Sequence, residues 1–87
     1  MTLMVFDVLV EVSPRDGIAD PQGQTIERSL PALGFGGVEQ VRVGKAIRFQ
    51  VSAPSEDDAR REVEDMCARF LTNPVIEDST VSLDARS

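Results

Sequence analysis

The chain reads as an α+β protein with ferredoxin-like β-α-β-β-α-β order, an antiparallel four-stranded sheet with two helices on one face. Three observations predict it: a β-dense opening from Thr2 to Val12, two amphipathic segments preceded by the N-capping residues Asp20 and Ser55, and an alternating stretch from Val38 to Ala53. In the opening strand Met4, Phe6, Val8, Val10 and Val12 fall on one face, while Leu3, Val5 and Leu9 share the other with Asp7 and Glu11. Both faces are therefore expected to be at least partly covered. Pro14, Asp16 and Gly17 break the strand. Asp20 as N-cap and Pro21 as first helical residue then start a helix running to about Leu33, with Ile26, Leu30 and Leu33 on one stripe. Gly34 followed by Phe35 suits a Schellman ending, and Pro31 predicts a bend in the last turn.

The stretch from Val38 to Ala53 predicts a hairpin. A three-residue loop, Gly44 to Ala46, sets Val43 opposite Ile47 and Val41 opposite Phe49, leaving Gln40, Arg42, Arg48 and Gln50 on the reverse face. A two-residue loop would mix polar with apolar on each face. Ser55 with Asp58 resembles a capping box, Glu56 and Asp57 suit the positive end of the helix dipole, and Ala59, Val63, Met66, Cys67 and Phe70 recur at helical spacing. Asn73-Pro74 ends that helix, Val75 to Leu83 forms the last strand, and Ala85-Arg86-Ser87 is a loose tail.

At 87 residues there is room for one core, so residues 1–87 are expected to form a single domain. Nine Lys+Arg against 15 Asp+Glu give a net charge of −6, which speaks against nucleic acid, whose phosphates need clustered positive charge. One cysteine and no histidine leave neither a disulfide framework nor a Cys/His metal site, and suggest a reducing compartment. With no apolar run near the roughly 20 residues of a membrane span, no membrane association is expected and the cytoplasm is the expected location.

Candidate chemistry is sparse. A nucleophilic cysteine needs a base or positive surroundings, and Cys67 sits on an apolar stripe in a chain without histidine, so it reads as a small buried hydrophobe. Glu56, Asp57 and Asp58 lack the alternation and glycine of a calcium loop and read as a helix start. Phe6 and Phe49 could mimic the stacking aromatics of an RNA-binding sheet, but Phe49 faces the helices in this register. Gly36-Gly37 and Gly44-Lys45 open no helix and so make no phosphate loop. No catalytic, cofactor or metal residue is assigned. The candidates are for partner binding: Asp20, Pro21, Gln22 and Gly23, where the missing side chain suggests close approach of another backbone or an unusual turn; Lys45 at the hairpin tip; and Arg42 and Arg48. Directly opposed, those two arginines either stay in solvent or meet acidic groups of another chain.

Gly17-Ile18 ahead of Asp20-Pro21-Gln22-Gly23, then Leu33-Gly34-Phe35, Val41-Arg42, Gly44-Lys45, Met66-Cys67 and Asn73-Pro74-Val75-Ile76-Glu77-Asp78 closely resemble the PurS family, over nearly the whole chain. That family is the small subunit of bacterial and archaeal phosphoribosylformylglycinamidine synthase. The resemblance implies a non-catalytic accessory subunit of an ATP-driven, glutamine-dependent ligase of purine synthesis. It implies self-association as dimer or tetramer, a large synthetase partner (PurL-like) that uses ATP and magnesium, and a glutaminase partner (PurQ-like) whose ammonia is passed on. Ala19, Pro31, Thr72 and Ser79 depart from the family's usual residues. An oligomeric small-molecule-binding regulatory domain of similar fold is the alternative reading.

Overall fold

The computed structural model describes residues 2–86. Strand β1 (Met4–Pro14) is followed by helix α1 (Pro21–Ser29), a short 3₁₀ turn (Pro31–Leu33), strand β2 (Lys45–Ala53), helix α2 (Glu56–Met66), a π-helical turn (Cys67–Leu71) and strand β3 (Glu77–Arg86). The three strands form one antiparallel sheet in the order β2-β1-β3, with Val10 opposite Ile47 on one side and opposite Val81 on the other. The α+β class is as read from the sequence. The expected four-stranded sheet is not formed, because residues 38–43 pair with no strand.

The reason lies in where two backbone amides go. Val41 N–H donates to Glu27 Oε1 at 2.9 Å and Val43 N–H to Asp20 Oδ2 at 2.8 Å, so carboxylates of α1 and its cap take the place of a strand partner. Ile47 and Phe49, expected opposite Val43 and Val41, instead face Val10 and Val8 across the β1 pairing. β2 therefore begins at Lys45, directly opposite Val12, and there is no hairpin tip.

Only one helix packs substantially on the sheet. Phe6, Val8, Val10 and Val12 of β1, with Val51 and Ala53 of β2, are buried against Ala59, Val63 and Cys67. Ser55 caps α2 as expected, its hydroxyl accepting from Asp58 N–H at 3.1 Å. α1 packs chiefly on the 3₁₀ turn, and Gly23 is its one buried residue. Both helices on one sheet face is thus corrected to α2 alone. Pro31 ends α1 early: the α-helix stops at Ser29 and the proline opens the 3₁₀ turn, where its missing donor costs nothing. Gly34, at φ +97°, supplies the left-handed cap, and Phe35 N–H closes it on Leu30 O at 3.0 Å.

Two further boundaries differ from expectation. The helical stripe of α2 does not reach Phe70, because the π turn inserts an extra residue and rotates the end of the helix. Leu71 packs against the core in its place, and Phe70 is 87% exposed. At the last strand, Asn73 builds a turn over Pro74–Ile76, so β3 starts at Glu77 and takes Ala85 and Arg86, opposite Phe6 and Val5. Of the expected tail only Ser87 remains, outside the described residues. No helix is long and apolar enough to cross a membrane among the described residues.

Candidate partner-binding site

An aspartate at an N-cap offers two oxygens, and here both are used. Asp20 Oδ1 accepts from Gly23 N–H at 3.1 Å and closes the first turn of α1, while Oδ2 accepts from Val43 N–H. These donors, that of Val43 first and that of Gly23 next, hold the carboxyl below the usual aspartate range, with burial opposing and the Arg42 charge assisting. Glu27 lies seven residues on, two turns along the same face of α1, and takes Val41 N–H. Two amides two residues apart thus reach the same helix, as an extended segment requires. Arg42, between them, donates to Asp16 and to the Pro14 carbonyl.

Gly23 does have a backbone against it, and that backbone is the chain's own. A Cβ at Gly23 would lie 2.5 Å from Val41 O and 2.5 Å from Asp20 Oδ2. Gly44 is confined likewise, a Cβ there running into the Val12 carbonyl. Residues 14–44 therefore form an arm clasped by carboxylates rather than by an apolar core, and Ile26, Leu33 and Phe35 on it remain exposed.

Asp20, Pro21, Gly23 and Arg42 come together in this arm, with Gln22 exposed on α1 and Lys45 exposed where β2 begins. Arg48 does not join them. It stands opposite Leu9 on the open sheet face, far in register from Arg42, so the expected arginine pair disappears with the hairpin. On the same open face Asp7 accepts from Gln50 Nε2 at 3.1 Å and pairs with Arg86 at 3.3 Å. Sequence reasoning misses Asp16 and Glu27, although the seven-residue spacing of Asp20 and Glu27 places both on one helix face. The Asn73-Pro74-Val75-Ile76-Glu77-Asp78 segment is a self-satisfied turn. Asn73 Oδ1 accepts from Val75 N–H, Glu77 Oε1 accepts from Asn73 N–H, and Ile76 O accepts from Arg15 N–H at 2.8 Å.

This protomer matches known proteins along its length. A family model described as PurS: Phosphoribosylformylglycinamidine (FGAM) synthase matches residues 7–85. The chain is 42% identical over 81 residues to the phosphoribosylformylglycinamidine synthase subunit PurS of Methanothermobacter thermautotrophicus, covering 93% of this chain and 95% of that one. It is 39% identical over 74 residues to the same subunit of Archaeoglobus fulgidus, covering 85% and 90%. The crystal structure of the purS subunit from Thermotoga maritima superposes with a TM-score of 0.87 at 34% identity, covering 97% of each chain. A chain in the structure of PurLQS from Thermotoga maritima gives 0.82 at 34% identity, covering 97% of this chain and 100% of that one. The clasped arm, the three-stranded sheet and the Asn73–Asp78 turn are the fold of a chain that belongs to the PurS family, a subunit of phosphoribosylformylglycinamidine synthase.

Proposed function

We propose that this chain is the non-catalytic accessory subunit of the glutamine-dependent phosphoribosylformylglycinamidine synthase of purine biosynthesis. It holds a large synthetase chain and a glutaminase chain together, and so assists transfer of ammonia from one to the other. ATP and magnesium belong to the synthetase chain, and the assembly works in the cytoplasm. The observation that carries this reading is the arm of residues 14–44: its backbone is locked by Asp20 and Glu27 while its apolar side chains face outward. A preordered surface of that kind binds with little further ordering cost.

Self-association belongs to the same reading. The radius of gyration is 17.0 Å and the extents are 58 × 29 × 14 Å, whereas a compact chain of this length has a radius near ~12 Å. Such an extended protomer buries its apolar arm only by meeting another chain. Of the proposed partner-binding positions, Pro21, Gln22, Arg42, Lys45 and Arg48 are exposed to a partner, while Asp20 and the buried Gly23 act by holding the clasp. Native mass spectrometry of the chain mixed with the two larger chains tests the reading. An assembly holding all three is expected, and separate chains at micromolar concentration would overturn it.

A further inference from the structure

Between the later turns of α2 and the first residues of β3 lies a cavity of about 400 Å³, within the size range of small-molecule sites. Arg60 and Glu64 stand on its helical side, Cys67, Ala68 and Val81 give it an apolar wall, and Thr72 closes one end. The π turn shapes that end: Thr72 N–H donates to Cys67 O at 3.0 Å, five residues back, and Thr72 leaves the helix in extended geometry at φ −129°, ψ 139°. Turns of this kind are rare and concentrate at functional sites.

Several polar groups around the cavity are already spent. Arg15 pairs with Asp78 at 3.3 Å and donates to Glu77 O at 3.3 Å, and Glu77 Oε1 holds Asn73 N–H. Three groups are not spent. Arg60 is one helical turn from both Glu56 and Glu64 and bridges neither, whereas Arg61 and Arg69 each bridge a neighbour on their own helix. It leans to β3 instead, with one N–H 3.4 Å from Val81 O, a long contact that leaves its other donors free. Glu64 has no cationic partner among the described residues. Thr72 is only 9% exposed, and its Oγ1 has no hydrogen-bond partner, a costly state for a buried hydroxyl.

We infer that this cavity binds a free α-amino acid, its carboxylate on Arg60, its ammonium on Glu64 and its side chain along Cys67, Ala68 and Val81. Such a ligand carries both charges on one carbon, and so fits between two groups a helical turn apart, about 5–6 Å at Cβ. Rotation about χ1 of Thr72 exchanges methyl for hydroxyl and brings the unpaired Oγ1 to the ligand. A phosphate would gain Arg15 and Arg60 but would meet Glu64, Glu77 and Asp78, three carboxylates against two guanidiniums. A simple cation would meet Arg60. The site lies wholly within this chain, and it stands whether or not the subunit reading does.

The test titrates the full chain with glutamine and alanine, with acetate and methylammonium as single-charge controls, and with inorganic phosphate, reading amide shifts at Ala68, Thr72 and Ser79. At least one amino acid should shift these amides saturably, and neither control should do so at the same concentration. Arg60→Gln and Glu64→Gln should each weaken that binding at least about tenfold, the loss of one charge-assisted contact. Thr72→Val should weaken it as well while raising the urea midpoint of the free chain, which separates lost binding from lost folding. No saturable shift with either amino acid would overturn the assignment. So would binding that survives both charge substitutions, or phosphate binding as tightly as the amino acids.

Discussion

Replacing Gly23 with alanine separates two physical effects of opposite sign. Gly23 has helical geometry, and in an ordinary helix interior alanine is better than glycine by about 1 kcal/mol. In this chain the new methyl would sit 2.5 Å from both Val41 O and Asp20 Oδ2, well inside the 3.4 Å at which ordinary contact begins. One obstacle is backbone and the other is a carboxylate already fixed by two amides, so neither swings aside freely. Overpacking of this sort costs about 1–3 kcal/mol, and two obstacles at once put Gly23 in the upper part of that range. Set against the helical gain, the net loss is about 1–2 kcal/mol, a rise of about 5- to 30-fold in the open fraction of the arm. Native-state amide exchange read at Val41 and Val43 measures it locally, because both amides are protected by α1 carboxylates and not by the sheet. Exchange that is unchanged or slower in Gly23→Ala would refute the clasp and return Gly23 to being a plain helical glycine.

Other perturbations address the remaining parts. Thr72 Oγ1 is buried with no protein partner, so Thr72→Val, which keeps the shape and removes the hydroxyl, should raise the urea midpoint, worth about 1 kcal/mol; a lowered midpoint would show that the hydroxyl is bonded. Cys67 is 5% exposed in the core, so Cys67→Ala should cost about 1 kcal/mol and leave synthase activity intact, and a large activity loss in a folded, assembled variant would contradict a packing role. Because the folded Asp20 carboxyl titrates below its unfolded range, its stabilising effect is present above the ordinary aspartate pKa and lost as pH falls through the lower folded value. The Val43 amide shift should therefore titrate below the usual aspartate range and lose this step in Asp20→Asn; an inflection at or above that range would refute the linkage.

The legible parts of this chain are those where one signal has one physical meaning. Phe6, Val8, Val10 and Val12 alternate because one face of β1 is buried, and Ser55 with Asp58 marks a helix start because a hydroxyl there satisfies an amide. The segment around Val41 and Val43 misleads for an instructive reason. Alternation reports an extended backbone, but not whether its amides go to another strand or to carboxylates such as Asp20 and Glu27. The opposition of Arg42 and Arg48 depends on that hairpin and fails with it. Phe70 is misplaced because the periodicity that carries Ala59, Val63 and Cys67 is silent about a one-residue slip to a π turn. The close approach at Gly23 is legible in the cost of glycine in a first turn, although the approaching backbone is that of Val41 and not a partner's. The family resemblance is legible because it rests on short segments whose order survives such local errors, and the match over residues 7–85 bears it out.

On the proposed reading this chain supplies no chemistry of its own and is needed when the ligase takes its nitrogen from glutamine. The direct measurement is the rate of formylglycinamidine ribonucleotide formation by the reconstituted synthetase and glutaminase chains, with and without this chain, using glutamine and then free ammonium salt. Holding two active sites together favours the coupled reaction through proximity. Omission should abolish most of the glutamine-dependent rate and spare more of the ammonium-dependent one. A glutamine-dependent rate that is the same with and without the chain would contradict the account.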